Sequence, residues 1–351
     1  LFVPKRAPMQ MVHIRDQKTV QLYTNKIMIM EDCKDALPEY LHFVKGVVDT
    51  ADLPLNVSRE VVQASQVMSK IRTNLTAKLL TLFKKWANKE PDKYKNFYQE
   101  FGRFLKIGHN SDFTNREKLT ELLRFESSQK EGGELTSLKD YTLRMKESQK
   151  DIYYMTGETR EAIEKNPNME YFRKHDLEVL ILTDPIDPFV ITSMNEYDKK
   201  QLVSIDKADI DLDDKKIETP ETEEKNKLSQ SLLGEFKTIL GDKVEDVVIS
   251  KRLVDSPATL VVGKEGLDRQ MEKVMKAMGQ AVPPSKKVLE VNIDHPIVRN
   301  LSRMYLADAN NEIIQTSIQQ LFEGAVLIDQ EQPPSSEFMR RMFKLMEQAT
   351  K

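Results

Sequence analysis

The sequence predicts a mixed α/β fold, of the α+β class, divided over more than one domain. Apolar strands and amphipathic helices alternate along most of the chain, which predicts sheets covered by helices. The length of 351 residues exceeds what a single hydrophobic core usually organises. Residues 206–227 are dense in charge and carry few large apolar side chains, which is typical of a linker.

The first 90 residues predict two strands, at 20–23 and 26–30, and two helices. The first helix is expected around residues 37–48. The second, from about 59 to 87, follows from apolar residues at helical spacing: Met68, Ile71, Leu75, Leu79, Leu82 and Trp86. Ser58 is its expected N-cap. This cap places Arg59 in the first turn, where the helix dipole disfavours a cation by about 0.3–1 kcal/mol.

The middle of the chain predicts short helices and then a small parallel sheet. Three short helices are expected within residues 93–145, the last of them capped by Ser137 together with Asp140. A strand at 151–156, a turn at Gly157, helices at 158–165 and 168–174 and a strand at 177–182 then follow. A strand–helix–strand order of this kind favours parallel pairing.

After the linker, the sequence predicts a second mixed unit. Its first helix, 228–240, ends at Gly241, a residue typical of a helix C-terminus. The remaining elements are expected as strands at 244–249, 259–262 and 287–291, and helices near 296–307, 311–328 and 336–348.

Composition argues against several classes of partner and compartment. The formal net charge of −3 argues against nucleic acid as the main partner. The single cysteine, Cys33, excludes an internal disulfide and fits a reducing, cytoplasmic compartment. No stretch approaches the roughly 18 consecutive apolar residues of a membrane-spanning helix.

Enzyme and cofactor motifs are missing. The chain has no G-x-x-x-x-G-K-[ST] loop, no G-x-G-x-x-G after a strand and no G-x-S-x-G elbow. The five histidines and Cys33 show no metal-ligand spacing. We therefore expect no metal or cofactor in this chain and no hydrolysis by the chain alone.

Arg59 and Gln63 lie in the first two turns of the helix predicted from residue 59. An arginine beside the free N–H groups of a helix start forms an anion site, and phosphate is the usual anion. Arg59 could instead be an exposed side chain that pairs with Glu60 or Asp52. Gln63, one turn further on, could orient a phosphate oxygen, or it could be an ordinary residue of the helix surface.

Residues 265–278 predict a helix with an apolar face that includes Leu267, Met271, Val274 and Met275. Methionines at helical spacing usually lie in a core. Flexible, polarisable methionines also suit a surface that accepts varied apolar partners. Phe189 follows the two prolines of Asp184–Pro188, so it is expected on a loop or a helix start, where it could pack on its own sheet.

The last two helices predict self-association. Their apolar stripes have little left to bury against at the end of a chain, and two copies related by a two-fold axis would cover them. The expected dimer-interface residues are Ile314, Ile318, Leu321, Phe322, Phe338, Met342 and Met346.

The stretch GVVD-x-x-DLPLN-x-SRE, residues 46–60, resembles the middle-domain signature of the heat-shock protein 90 family, in particular its bacterial HtpG-type members. The resemblance continues through TSLKDYTLRM (136–145), KDIYYMTGE (150–158) and EVLILTDPIDPF (178–189). It covers essentially the whole chain and is strongest over residues 1–205.

The resemblance implies a domain plan in which the N-terminal nucleotide-binding domain is missing. Residues 1–217 correspond to the middle domain, residues 218–227 to a charged linker and residues 228–351 to a C-terminal dimerisation domain of mixed α/β structure. The implied parts of the middle domain are a larger αβα part, a small helical connector and a smaller αβα part, at 1–90, 91–145 and 146–217.

The resemblance also implies function. An ATP-dependent chaperone of this family closes as a homodimeric clamp on non-native client proteins, and a DnaK-type chaperone is a further implied partner. Arg59 would reach the γ-phosphate of ATP, bound with Mg²⁺ by the missing domain, and Gln63 belongs to the same loop.

Phe189 stands where bacterial relatives carry a client-contacting tryptophan. The implied client contacts on the 265–278 helix are Leu267, Met271, Val274 and Met275.

Two other functions are compatible with parts of the sequence. The chain could be the transducer region of a related ATPase acting on DNA, such as a gyrase-type or mismatch-repair protein, although the net charge and the SRE arginine argue against this. It could also be a plain dimeric scaffold, for which Arg59 would be irrelevant.

Overall fold

Residues 20–50 contain a three-stranded sheet in the order β2-β1-β3. The strands are β1 (Val20–Thr24), β2 (Ile27–Met30) and β3 (Gly46–Thr50). β1 pairs antiparallel with β2 and parallel with β3. The two strands predicted first are confirmed, and the sheet buries Val20, Leu22 and Thr24 of β1 on one face.

The structure is a computed structural model, and it describes residues 1–7, 19–53, 65–208, 210, 212, 220–263, 266, 271–272, 275–276, 279–280, 286–330 and 333–350, with the side chains of 220–229 and 330 left aside. The mixture of helices and sheets confirms the α+β class. The chain forms two compact units. The first consists of residues 1–126, 133–144 and 189–197, and the second of 127–132, 145–188 and 198–351.

The helix predicted at residues 37–48 is wrong. Two single 3₁₀ turns, Lys34–Ala36 and Glu39–Leu41, lead instead into β3. Pro38 restricts the residue before it to extended backbone, and the β-branched pair Val47–Val48 favours a strand. Gly46 makes the turn into β3 with φ 138°, where a side chain would also meet the backbone of Leu1 at 2.9 Å.

The helices of the first unit pack on one another and on the segment before β3 through aromatic side chains. The helices of the first unit are α1 (Gln66–Lys89), α2 (Pro91–Ser111), α3 (Arg116–Leu122) and α4 (Leu138–Arg144). Phe43, before β3, stacks on Phe101 of α2 at a centroid distance of 4.4 Å, and Phe83 of α1 lies 4.5 Å from Phe97 of α2. A short antiparallel pair, β4 (Phe125–Ser127) and β5 (Leu135–Thr136), precedes α4.

The predicted cap of α4 is confirmed. Ser137 Oγ accepts a hydrogen bond from the backbone N–H of Asp140 at 3.0 Å and donates one to its carboxylate at 2.6 Å. This reciprocal pairing satisfies groups that the first turn of a helix otherwise leaves without partners.

The second unit begins with the predicted parallel sheet, which is confirmed. Its strands β6 (Ile152–Thr156), β7 (Val179–Leu182) and β9 (Lys200–Ser204) run parallel in the order β7-β6-β9. Helices α5 (Arg160–Glu164) and α6 (Glu170–Lys174) connect β6 to β7. Helix α7 (Asp187–Met194) and strand β8 (Glu196–Tyr197) lie between β7 and β9 in the chain.

The rest of the second unit is a mixed sheet with helices. Strands β10 (Asp246–Ile249), β11 (Ala258–Val262) and β12 (Lys287–Val291) pair in the order β10-β12-β11. β12 runs parallel to β10 and antiparallel to β11. The helices are α8 (Pro220–Leu240), α9 (Pro296–Ala307), α10 (Glu312–Gln330) and α11 (Ser336–Ala349), close to their predicted positions apart from the start of α8.

The predicted helix start at residue 228 is wrong, because helix α8 begins at Pro220, inside the segment predicted as a charged linker. Proline is favoured at the first position of a helix, and the glutamates and lysines that follow are good helix formers despite their charge. The domain boundary at 217/218 stays a prediction, since the second compact unit contains residues on both sides of it.

Candidate functional site

The candidate catalytic residues, Arg59 and Gln63, lie outside the described residues. Helix α1 begins at Gln66, and Ser65 Oγ caps it by accepting a hydrogen bond from the N–H of Met68 at 3.2 Å. The predicted Ser58 cap and the first-turn position of Arg59 lie outside the described residues, so both stay predictions. Ser65 lies directly before the apolar stripe that begins at Met68, where a serine N-cap is favoured.

The candidate client-contact residues that the structure describes are half-buried. Phe189 is the third residue of α7, next to Val190 and Ile191, which are buried. Met271 and Met275 have helical backbone, lie four residues apart and are both half-buried. Leu267 and Val274 lie outside the described residues. Phe189 belongs to the first unit and the two methionines to the second.

Helix α10 uses much of its apolar stripe inside its own chain. Ile314, Ile318 and Phe322 are 2%, 0% and 9% exposed and belong to a core formed with α8, α9 and the β10–β12 sheet. Leu321 is partly buried against the same core. The premise that these residues had little to bury against is wrong, because the sheet of the same chain covers them.

Helix α11 leaves its apolar face uncovered within one chain, and we call Phe338, Met342, Phe343 and Met346 the α11 face. No residue of α11 is buried. Phe338 and Met342 are half-buried, whereas Phe343 and Met346 are 57% and 55% exposed. An ion pair between Arg341 and Glu323, with side chains 18% and 25% exposed, links α11 to α10.

A carboxylate cradle joins α6 to the segment before β11. Glu170 Oε2 accepts hydrogen bonds from the backbone N–H groups of Val254, Asp255 and Ser256 at 2.6, 2.8 and 3.2 Å. Burial raises the pKa of Glu170, but the hydrogen bonds from the Ser256 hydroxyl and these N–H groups outweigh it and hold the pKa below its usual range.

A buried ion pair lies in the same unit. Arg252, with its side chain 1% exposed, forms a two-point contact with Glu290 of β12: Nε–Oε2 3.0 Å and Nη2–Oε1 2.9 Å. Its guanidinium also donates to the backbone carbonyls of Ile205 and, at 2.6 Å, Lys207, which follow β9. Ser250 Oγ donates to Glu290 at 2.7 Å.

These contacts fasten the β7-β6-β9 sheet to the β10-β12-β11 sheet. Burial would penalise the Arg252 guanidinium and the Glu170 carboxylate if they lacked partners, and here each of the two groups has several. A backbone bridge between Lys207 and Val262 lies at the same junction.

A buried histidine connects α2 to α7 in the first unit. His109 is 0% exposed. Its Nδ1 lies 3.1 Å from Ser193 Oγ and its Nε2 3.1 Å from Thr120 Oγ1. Burial lowers the pKa of His109, and the neighbouring Arg116 lowers it further against the opposing hydrogen bond with Asn110.

Sequence reasoning missed Glu170, Arg252 and Glu290 and assigned no role to His109. Each of them has a partner 38 to 86 residues away along the chain, and no local spacing marks such a contact. The one available signal for Arg252 is its position three residues after a strand, which is too common to identify a site.

Two further findings concern the described residues only. Among them, no group of three or more His, Cys, Asp or Glu side chains is placed to hold a metal ion. Within that same part of the chain, no helix has the length and apolar character needed to cross a membrane.

Comparisons with known proteins give a consistent result. A family model described as Hsp90 protein matches residues 1–351. A protein named "Chaperone protein HtpG" from Chlorobium phaeovibrioides is 52% identical over 353 residues, covering 100% of this chain and 56% of that relative. A protein of the same name from Geobacter metallireducens is 40% identical over 332 residues, covering 94% of this chain and 51% of that relative.

The chain spans about half the length of the curated relatives it matches. The match to the family model over all 351 residues leaves no part of the chain unassigned. The chain belongs to the heat-shock protein 90 family.

Proposed function

We propose that the chain is the client-binding and dimerising part of an ATP-dependent molecular chaperone. The observation that carries the proposal is the family match over the whole chain, together with relatives named as chaperones. The α11 face and the half-buried methionines 271 and 275 supply apolar surface of the kind that association and client binding need. Cytoplasmic location and cooperation with a DnaK-type chaperone are part of this proposal.

The nucleotide part of the proposal concerns Arg59 and Gln63. ATP with Mg²⁺ would be bound by a domain outside this sequence, and Arg59 would contact the γ-phosphate as an arginine finger does. Gln63 would support the same loop. The sequence of this chain contains no phosphate-binding loop motif. In this proposal the nucleotide-binding domain hydrolyses ATP, and hydrolysis controls when the clamp closes and opens.

The experiment joins the chain to the N-terminal region of its full-length protein and measures ATP turnover. Arg59→Ala should lower turnover on the order of 10³-fold if the residue acts as an arginine finger. Arg303→Ala, which removes an exposed arginine of α9, is the matched control and should leave turnover unchanged. Equal turnover in wild type and Arg59→Ala would reject the role of Arg59.

The alternative of a DNA-acting ATPase makes a different prediction. Such a protein would bind DNA with an affinity that falls steeply with salt, because phosphate contacts release counterions. The formal net charge of −3 does not favour that function. A plain scaffold would dimerise without suppressing aggregation of non-native proteins.

A further inference from the structure

Helix α7 carries Phe189 on one turn and Ser193 on the next, and Ser193 contacts the buried His109. We propose that His109 and Ser193 form a positioning pair that fixes how α7 presents Phe189 to a client. This inference rests on the proposed chaperone function, and within it assigns a role to two residues that do not themselves touch the client.

The contact is one of several that converge on the Ser193 hydroxyl. Ser193 Oγ lies 2.7 Å from Asn110 Oδ1 and 2.9 Å from the backbone carbonyl of Val190, both of them acceptors. The hydroxyl proton serves one of these acceptors, and in the His109 tautomer that carries its proton on Nδ1 the Oγ accepts a hydrogen bond from that nitrogen. The last turn of α7 is thereby tied to the end of α2.

The other ring nitrogen is held as well. His109 Nε2 faces the hydroxyl of Thr120, which also lies 3.0 Å from the carbonyl of Arg116, and Arg116 Nε donates to the carbonyl of His109 at 3.1 Å. The imidazole is therefore fixed on both sides and inside the protein. A fixed ring gives Ser193 a partner with a defined position.

Phe189 depends on this contact through the geometry of α7. Residues four apart lie on the same side of a helix, so Phe189 and Ser193 share one stripe. α7 has eight residues, about two turns, and Val190 and Ile191 anchor its adjacent side in the interior. Loss of the Ser193 contact would let the helix rotate or tilt about that anchor, and the exposed part of the Phe189 ring would change.

The experiment places a fluorescent tryptophan at position 189. In a Trp86→Phe background, Phe189→Trp leaves one tryptophan in the 351-residue chain, because Trp86 is the only natural one. The emission maximum and acrylamide quenching of that tryptophan are compared in Ser193→Ala, Ser193→Thr and Ser111→Ala. Ser111 is the matched control, since its hydroxyl bonds to the Ile107 carbonyl of its own helix and is exposed.

Ser193→Ala should shift the emission and raise quenching, whereas Ser193→Thr, which restores the hydroxyl, should return both to the parent values. In the chain that keeps its natural Phe189 and Trp86, Ser193→Ala should weaken binding of reduced, carboxymethylated lactalbumin about fivefold. This is the effect expected for the loss of one neutral hydrogen bond. Ser111→Ala should change neither measurement.

The two claims fail separately. Unchanged emission and quenching in Ser193→Ala would overturn the positioning pair, and so would a change that Ser193→Thr does not reverse. If Phe189→Ala leaves lactalbumin binding unchanged while the reporter responds as expected, the positioning pair stands and the client role proposed for Phe189 falls.

Discussion

The Ser256 hydroxyl donates a 2.5 Å hydrogen bond to the carboxylate of Glu170, 86 residues earlier in the chain. Three consecutive backbone N–H groups complete the same cradle from residues 254–256. Backbone donors that converge on a carboxylate stabilise its charged form and fix its position. The cradle thus makes the attachment of α6 to the β11 segment depend on one negative charge.

Glu170→Gln should therefore lower the free energy of unfolding by about 1–2 kcal/mol at pH 7, because hydrogen bonds to a charged acceptor are replaced by weaker ones. Urea unfolding of the chain measures the change. The control is Glu161→Gln, which disrupts a pair with Lys165 whose side chains are both 75% exposed. Solvent screens an exposed helical pair of this kind, so its loss should change the free energy of unfolding far less than Glu170→Gln does.

The same carboxylate predicts a pH dependence. The pKa of Glu170 is lowered in the folded chain, so the unfolded chain takes up its proton first as pH falls. The stabilisation is complete above the ordinary glutamate pKa of about 4.3 and is lost as pH drops through and below that value. The stability difference between wild type and Glu170→Gln should shrink between pH 6 and pH 3; a constant difference would contradict this origin.

The Arg252–Glu290 pair predicts a larger and non-additive effect. Arg252→Met should cost about 3–5 kcal/mol, because it leaves the Glu290 carboxylate buried beside Ser250 with its cation removed. The double variant Arg252→Met with Glu290→Met should recover much of the loss, because no uncompensated charge remains. A double-mutant cycle of unfolding free energies measures the coupling.

The exposed pair Arg299–Asp294 is the control for that cycle. Its atoms lie 3.1 Å apart, yet both side chains are 55% exposed. Solvent screening should reduce its coupling energy to about 0–1 kcal/mol. If the two cycles gave equal coupling, burial would not be the source of the Arg252–Glu290 effect.

Local pattern was enough to predict much of this fold. The order β6, α5, α6, β7 follows from short apolar runs, Gly157 and Pro167, and parallel pairing follows from the helices between the strands. Strand β3 was missed because its stability comes from pairing with β1, from Val20–Gly46 through Thr24–Thr50. That partner lies 26 positions away, and no residue near β3 identifies it.

The candidate site was less predictable for a related reason. Apolar periodicity located the stripe of Ile314, Ile318 and Phe322 but could not say whether its partner is another helix, a sheet or a second chain. Burial of that stripe on the β10–β12 sheet is a property of tertiary packing. Polar contacts such as Ser193–His109 follow from no repeat at all, since each joins two positions that are ordinary in their local sequence.

Met271 and Met275 give a test of client contact. Changing both to Ser should weaken suppression of protein aggregation, because the half-buried apolar surface they offer becomes polar. Light scattering of an aggregating protein measures the effect, and sedimentation velocity should show the dimer unchanged. Lys276→Ser, at an exposed position of the same stretch, is the control. Full suppression by the double variant would mean that these side chains do not contact clients.

The two terminal helices should respond differently to substitution. Phe343→Glu places a charge on the α11 face, where the side chain is 57% exposed in one chain, so it should abolish or strongly weaken dimerisation while the free energy of unfolding of the monomer stays within about 0.5 kcal/mol. Phe322→Ala, at a 9% exposed core position of α10, should instead cost about 3–5 kcal/mol of monomer stability. Lys344→Gln, on the exposed side of α11, should change neither property. Sedimentation equilibrium measures dimerisation and urea unfolding measures monomer stability. A dimer that persists in Phe343→Glu would place the interface elsewhere, because a charge on the α11 face would then be compatible with association.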